Sequence, residues 1–330
     1  MTRTLPLLLA LLAPLPALAN DSVAELTTGG LILSRSDAVQ MLREDLAIST
    51  RAISVDYVFR NQTDQPVDSL VAFPMPPVSG SLDMMVAVPE DGPGNLYGFT
   101  VTQDGQAITP QLQQRAEALG LDIGADLAAQ NVPFAPYGAA TISALSRLAP
   151  EVAADWTRRG LMTETSFDAG QGMQVERVPL WTWQASYWWP TRFAAGQDVR
   201  VSHRYTPSVG ASAGVALLFE QPGSALWDDY RRRYCVDAAF EKALRATEAR
   251  HGGQLMEQRI AYVLGTGGNW AQGAIGQFRL TIDKGRPDAL VSFCGTGVKK
   301  TGPTTFVMEA TDYQPPELLE VLIVSPMPAE

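Results

Sequence analysis

Two histidines, His203 and His251, and two cysteines, Cys235 and Cys294, are the whole stock of imidazole and thiol in this 330-residue chain, which narrows the chemistry open to it. A Ser-His-Asp triad must use one of the two histidines. His203 alternates with Val199, Val201 and Tyr205 on one face of a strand-like stretch, the setting of a core histidine. His251 ends a helix-like stretch, where its charge complements the helix dipole. A two-histidine metal site has no spacing signature here. Cys235 and Cys294 form no C-x-x-C motif and have no neighbouring histidine, so they read as a structural disulfide rather than a redox or metal pair. Closing that loop would stabilise the fold by about 4 kcal/mol on the chain-entropy model.

Gly265-Thr266-Gly267-Gly268-Asn269-Trp270 has the look of a dinucleotide loop, but Trp270 stands where the third glycine belongs and no βαβ unit surrounds it. A tight connection is the expected role, with close approach of a ligand as the lesser alternative. Carboxylate pairs for glycoside hydrolysis cannot be singled out among 35 acids. Asp228-Asp229 reads as a solvated pair compensating Arg231-Arg232-Arg233. The most unusual feature is Trp181-Thr182-Trp183-Gln184-Ala185-Ser186-Tyr187-Trp188-Trp189, which holds most of the chain's seven tryptophans. On a strand Trp181, Trp183, Tyr187 and Trp189 share one side and Trp188 takes the other. Trp181, Trp183, Trp188 and Trp189 are therefore candidate ligand-binding residues, stacking on sugars or anchoring a protein. The alternative is that this face is core, with Trp188 the ring placed to leave it.

These residues need elements to hold them. Residues 53–59 and 67–73 read as two strands of a β-hairpin around the turn residues 61–66, with further strands at 82–88 and 97–102, and a turn at Asp104-Gly105 leading back through 106–108. This makes 20–109 a β-sandwich-like domain. Residues 110–173 read as a helical insertion: Leu112, Ala116 and Leu119 recur at helical spacing, and 139–148 and 150–159 follow suit. Residues 174–330 read as a β-rich domain with strands at 180–189, 199–205, 260–264, 275–282, 290–294, 306–310 and 319–324. One helix interrupts it, N-capped by Asp237, striped by Phe240 and Leu244, and stopped at His251-Gly252-Gly253. The fold class expected is mainly β, two β-sandwich-like regions with a helical insertion between them.

The chain begins with Met1-Thr2-Arg3-Thr4, an apolar run over 5–15 broken by Pro6 and Pro14, then Pro16 and Ala17-Leu18-Ala19. That is the pattern of a signal peptide cleaved after Ala19, and the run is shorter than the roughly 20 residues of a membrane span. A periplasmic or secreted protein is expected. Its formal net charge of −10 becomes one unit more negative when Arg3 is lost with the leader, which argues against nucleic acid and anionic membrane as partners. No later stretch is apolar enough to span a bilayer. The 46% apolar content of so long a chain suffices for a sizeable core.

Several stretches resemble the uncharacterised bacterial family known as domain of unknown function 4424. They are Asn20-Asp21-Ser22-Val23-Ala24-Glu25-Leu26 with Gly29-Gly30-Leu31, Asp56-Tyr57-Val58-Phe59-Arg60-Asn61, Val71-Ala72-Phe73-Pro74-Met75-Pro76, His203-Arg204-Tyr205-Thr206-Pro207-Ser208-Val209-Gly210 and Tyr262-Val263-Leu264. The resemblance implies a secreted bacterial protein and brings no activity, cofactor or catalytic residue. A shorter likeness, from Phe59 to Pro76, is to the strand-turn-strand of von Willebrand-associated β domains, which mediate protein contacts. The expected function is a non-catalytic binding or interaction module for a protein or glycan of the cell envelope, without cofactor or metal; the alternatives are a glycan-binding protein and a cell-envelope glycan hydrolase.

Overall fold

The computed structural model describes residues 20–27, 30–81, 85–87, 95, 97–168, 170 and 172–327. The leader-like residues 1–19 lie outside the described residues, as does most of the expected strand at 82–88. The chain runs through β1 (Ser22–Thr27), β2 (Gly30–Ser34), β3 (Val39–Ile48), β4 (Ile53–Asn61) and β5 (Val67–Pro74). It continues through β6 (Val78–Ser79), β7 (Met85–Ala87), β8 (Thr100–Gln103), β9 (Gln106–Ile108), β10 (Gln111–Ala118) and β11 (Leu121–Asp122). Helices α1 (Gly124–Ala129), α2 (Ala139–Ser146) and α3 (Pro150–Arg158) precede β12 (Met162–Asp168), β13 (Met173–Pro179), β14 (Thr182–Phe193), β15 (Asp198–Tyr205) and β16 (Val209–Ala213). Then come α4 (Ala216–Phe219), α5 (Ala225–Tyr234), α6 (Ala238–His251), β17 (Leu255–Val263) and 3-10 turns at Gly265–Asn269 and Ala271–Gly273. The last strands are β18 (Ile275–Asp283), β19 (Leu290–Phe293), β20 (Lys299–Lys300), β21 (Thr305–Tyr313) and β22 (Leu318–Pro326).

The fold is mainly β, with helices between the earlier and later strands. One sheet has the order β11-β10-β14-β5-β1-β2, with β6 also on β14; a second runs β20-β21-β18-β3-β4-β15-β8-β9; a third runs β19-β22-β17-β16-β7; β12 and β13 pair by themselves. Strands from both ends of the chain share sheets, so sheet membership crosses the boundaries expected at 109 and 173. β14 lies beside β5, and β18 runs parallel to β3.

Two local expectations are corrected. β4 and β5 are not a hairpin: β4 pairs with β3 and β15, whereas β5 pairs with β14 and β1. The turn between them carries the chain from one sheet to the next, tied by the Asn61 amide, which donates to the carbonyls of Gln65 (2.7 Å) and Phe193 (3.0 Å). The helix expected around 112–119 is strand β10. Leu112 and Ala116 are four residues apart, which fits period two as well as period 3.6, and seven residues of β10 pair with β14.

One large core fills the space between the sheets, from Phe59 and Val201 through Phe73 and Trp189 to Tyr262 and Val321. Helices α1 to α3 cover a second cluster around Leu127, Leu145, Trp156 and Trp181. Helices α5 and α6 cover a third with Tyr230, Phe240 and Leu244 against Leu322 and Val324. β22 therefore faces apolar neighbours on both sides, which accounts for its almost unbroken apolar sequence. α6 has the expected ends: Asp237 accepts from the Phe240 amide at 2.7 Å, and Gly252 closes the helix at φ 60°. Cys235, just past α5, is joined to Cys294, just past β19, by a disulfide with a Cα–Cα distance of 5.0 Å.

Candidate functional site

The first described residues are buried. Asn20, Asp21 and Ser22 have no exposed surface, and neither does Glu44. Each strand around them aims a polar group inward for a readable reason. β4 buries alternate residues from Ile53 to Asn61, which brings Tyr57 inside. β15 buries Val199, Val201, His203 and Tyr205, the face expected from the sequence. β3 would present Glu44 to solvent if its alternation were continuous. Between Met41 and Arg43 its pairing with β4 slips by one residue, so that Val39 and Met41 before the slip and Glu44, Leu46 and Ile48 after it all face the core. Gly276 of β18 makes room for this bulge, since a Cβ there would lie 2.8 Å from the Leu42 carbonyl oxygen.

Asn20 is the hub. Its amide nitrogen donates to Glu44 Oε2 at 3.0 Å, and its side-chain oxygen accepts from the Asp21 amide at 3.0 Å and from the Tyr57 hydroxyl. Tyr57 in turn meets the Tyr262 hydroxyl at 3.1 Å. The glycine-rich turn closes over the hub: Thr266 Oγ1 donates to the Asn20 carbonyl at 2.6 Å, and Trp270 Nε1 to the Asp21 carbonyl at 2.7 Å. A Cβ at Gly267 would stand 2.9 Å from Asn20 Nδ2. The close approach for which this turn needs glycine is thus to the chain's own Asn20.

The electrostatics of this centre are unusual. His203 Nε2 lies 3.5 Å from Asp21 Oδ1, both fully buried. Burial lowers the imidazole to about 3, so the ring is neutral and the contact is not an ion pair. Burial raises the Asp21 carboxyl well above its ordinary value, with the charge of Glu44 adding to it. Burial likewise pushes Glu44 up to about 8, against the lowering effect of the Asn20 amide. Among the described residues, both Asp21 oxygens, Glu44 Oε1 and both His203 nitrogens lack hydrogen-bond partners. His203 sits among Tyr57, Phe73, Phe99 and Trp189 at centroid distances of 4.9 to 5.5 Å.

Of the two readings of the tryptophan stretch, packing in the core is what three of its rings show. Trp181, Trp183 and Trp189 are fully buried; Trp181 Nε1 donates to the Phe134 carbonyl at 2.7 Å and Trp183 Nε1 to Gln114 Oε1 at 3.0 Å. These rings are packing and not a stacking platform, because β14 is sandwiched between its sheet partners and the core. Trp188 is half-buried on the other face. His251 ends α6 as expected.

Open concave surface lies elsewhere. Among the described residues, β1 pairs with β5 only at Ser22–Ala24 against Leu70–Ala72, whereas Glu25–Thr27 pair only with β2 and Val67–Ser69 only with β14. The sheet forks there, and the fork opens into a cleft of about 820 Å³ lined by Glu25, Leu26, Arg35, Val67, Asp68 and Arg192, among others. Sequence reasoning missed both the buried centre and the fork. The out-of-phase alternation of Val39 and Met41 with Leu46 and Ile48 was the available signal for Glu44.

The molecule is thus a disulfide-linked, multi-sheet β protein with a polar centre buried at the junction of its sheets. The chain belongs to the family described as Domain of unknown function (DUF4424), whose model matches residues 19–322. No curated protein matches it. Among solved structures, a candidate nutrient binding protein from Legionella pneumophila is similar at 15% identity and TM-score 0.41, over 88% of this chain and 68% of that one. That likeness is too distant to bear on fold or function.

Proposed function

We propose that this is an exported, non-catalytic binding protein that holds an extended segment of another cell-envelope protein in the cleft between β1 and β5. The observation that carries this is the fork itself. Two neighbouring strands part company and leave main-chain edges at Glu25–Thr27 and Val67–Ser69 facing a cleft, and an added strand satisfies such edges. The lining carries both signs, Glu25 and Asp68 with Arg35 and Arg192, which suits a mixed polypeptide better than a polyanion. Leu26, exposed at the rim, offers an apolar anchor. Export rests on the leader pattern of residues 1–19.

The test is a displayed library of ten-residue peptides selected on the mature chain. Selected peptides should lose about tenfold in affinity, or 1.4 kcal/mol, with Leu26→Asp and keep it with Leu318→Asp, a change at another exposed leucine. Peptides indifferent to Leu26→Asp would sink the cleft reading, and turnover of cell-wall glycan by the purified chain would sink the non-catalytic one.

A further inference from the structure

Asn20 has an oddly complete set of contacts. Its carbonyl accepts from Thr266, its side-chain oxygen from Tyr57 and Asp21, and its side-chain amide donates to Glu44. Among the described residues, the polar group of Asn20 for which these contacts leave no partner is the main-chain nitrogen. Around this residue stand two fully buried acids, and among the described residues neither has a Lys or Arg partner. The charge of Glu44 adds to the cost of ionising Asp21, and that of Asp45 to the cost of ionising Glu44; among the described residues three of the four oxygens of Asp21 and Glu44 have no donor. Buried carboxylates are tolerated when a cation or several donors meet them. The leader pattern ends at Ala19, immediately before this residue.

We infer that Asp21 and Glu44 form a buried ammonium site whose ligand is the chain's own α-amino group, created on Asn20 when the leader is removed. The chemistry balances as simple hydrolysis: a signal peptidase adds water across the Ala19–Asn20 amide, Ala19 leaves with the carboxylate, and Asn20 keeps the nitrogen, protonated to an ammonium. In the precursor that nitrogen is a neutral amide with one hydrogen. After cleavage it has three hydrogens and a positive charge, enough to serve Glu44 Oε1 and an Asp21 oxygen together. Gly267, Thr266 and Trp270 hold Asn20 in place for this, and the bulge in β3 aims Glu44 at it. Maturation thus completes the core electrostatically, and the processed chain is the stable form.

The experiment compares the chain beginning at Asn20 with one beginning at Ala17, whose free amine is displaced by up to about 10 Å of extra chain, each with and without Glu44→Gln. The α-amine of the native mature chain should be acylated by an N-hydroxysuccinimide acetate about 100-fold more slowly than in urea. The Ala17 chain should melt about 5 °C lower, and Glu44→Gln should abolish that difference in a double-mutant cycle. An α-amine as reactive as in the unfolded chain, equal melting of the two chains, or a difference that survives Glu44→Gln overturns the inference. Should the Glu44→Gln chains fail to fold, the acylation rate of the unaltered mature chain decides alone.

Discussion

Glu257 on β17 and Glu44 on β3 are both glutamates without exposed surface, and their surroundings could hardly differ more. Glu257 accepts from Arg259 at 2.8 Å, from the Tyr230 hydroxyl at 2.7 Å, from Ser212 at 3.1 Å and from the Ala216 amide at 3.2 Å. Among the described residues, Glu44 accepts from one side-chain amide and keeps an oxygen without a donor. Burying a carboxylate costs several kcal/mol unless charge and hydrogen bonds offset it. At Glu257 the offset is supplied by residues of its own strand and of neighbouring elements. At Glu44 the one donor among the described residues is the Asn20 side-chain amide, a neutral group with no cation beside it.

The largest effect should come from disturbing the saturated site. Arg259→Ala leaves Glu257 buried with neutral donors only, and a loss of about 3 kcal/mol is expected, the low end for a broken buried pair because the Arg259 side chain is 24% exposed. Urea titration of both proteins measures it. A loss below about 1 kcal/mol, the value of an ordinary hydrogen bond, would mean that the arginine is not what supports Glu257, and the contrast with Glu44 would fail.

Next comes the device that turns Glu44 inward. Gly276→Ala places a methyl 2.8 Å from the Leu42 carbonyl oxygen, so either the bulge or the β3–β18 ladder must shift, at a cost of about 2 kcal/mol. Thermal unfolding measures the loss; an unchanged melting temperature would show that the bulge does not need glycine at its back. This part of the site was legible in residue pattern, since Val39 and Met41 fall out of phase with Leu46 and Ile48. The inward face of β15, the ends of α6 and the cysteine pair were legible for the same reason: period, cap chemistry and an even cysteine count are local or compositional signals. What meets Glu44 was not. Asn20, Tyr262 and Thr266 are brought together by pairings across most of the chain, as when β18 joins β3. Asn20-Asp21-Ser22 looked like a polar exit from a leader because short polar runs carry no periodicity. The Trp181 to Trp189 alternation showed which rings share a side, but not that this side is the inside.

The smallest effect at neutral pH should come from His203. Among the described residues both its nitrogens lack hydrogen-bond partners, so exchanging the neutral ring for another aromatic should change stability by less than about 1 kcal/mol at pH 7. Its pH dependence is the informative part. The folded-state value near 3 lies below the ordinary 6.5, so between those limits the unfolded chain takes up a proton that the folded chain refuses. The stability that His203 contributes is therefore complete above pH 6.5 and is lost as pH falls toward 3. Where no ammonium meets it, Glu44 works in the opposite sense: with its value raised from 4.5 to about 8, its contribution is complete below 4.5 and lost as pH rises through 8. Denaturant unfolding from pH 3 to 9 on His203→Phe should show a flattened acid limb and an unaltered alkaline one. If the acid limb kept its slope, His203 would not be the group that titrates there. If the alkaline limb of the chain beginning at Ala17 were no steeper than that of the chain beginning at Asn20, the α-ammonium would not be what relieves Glu44.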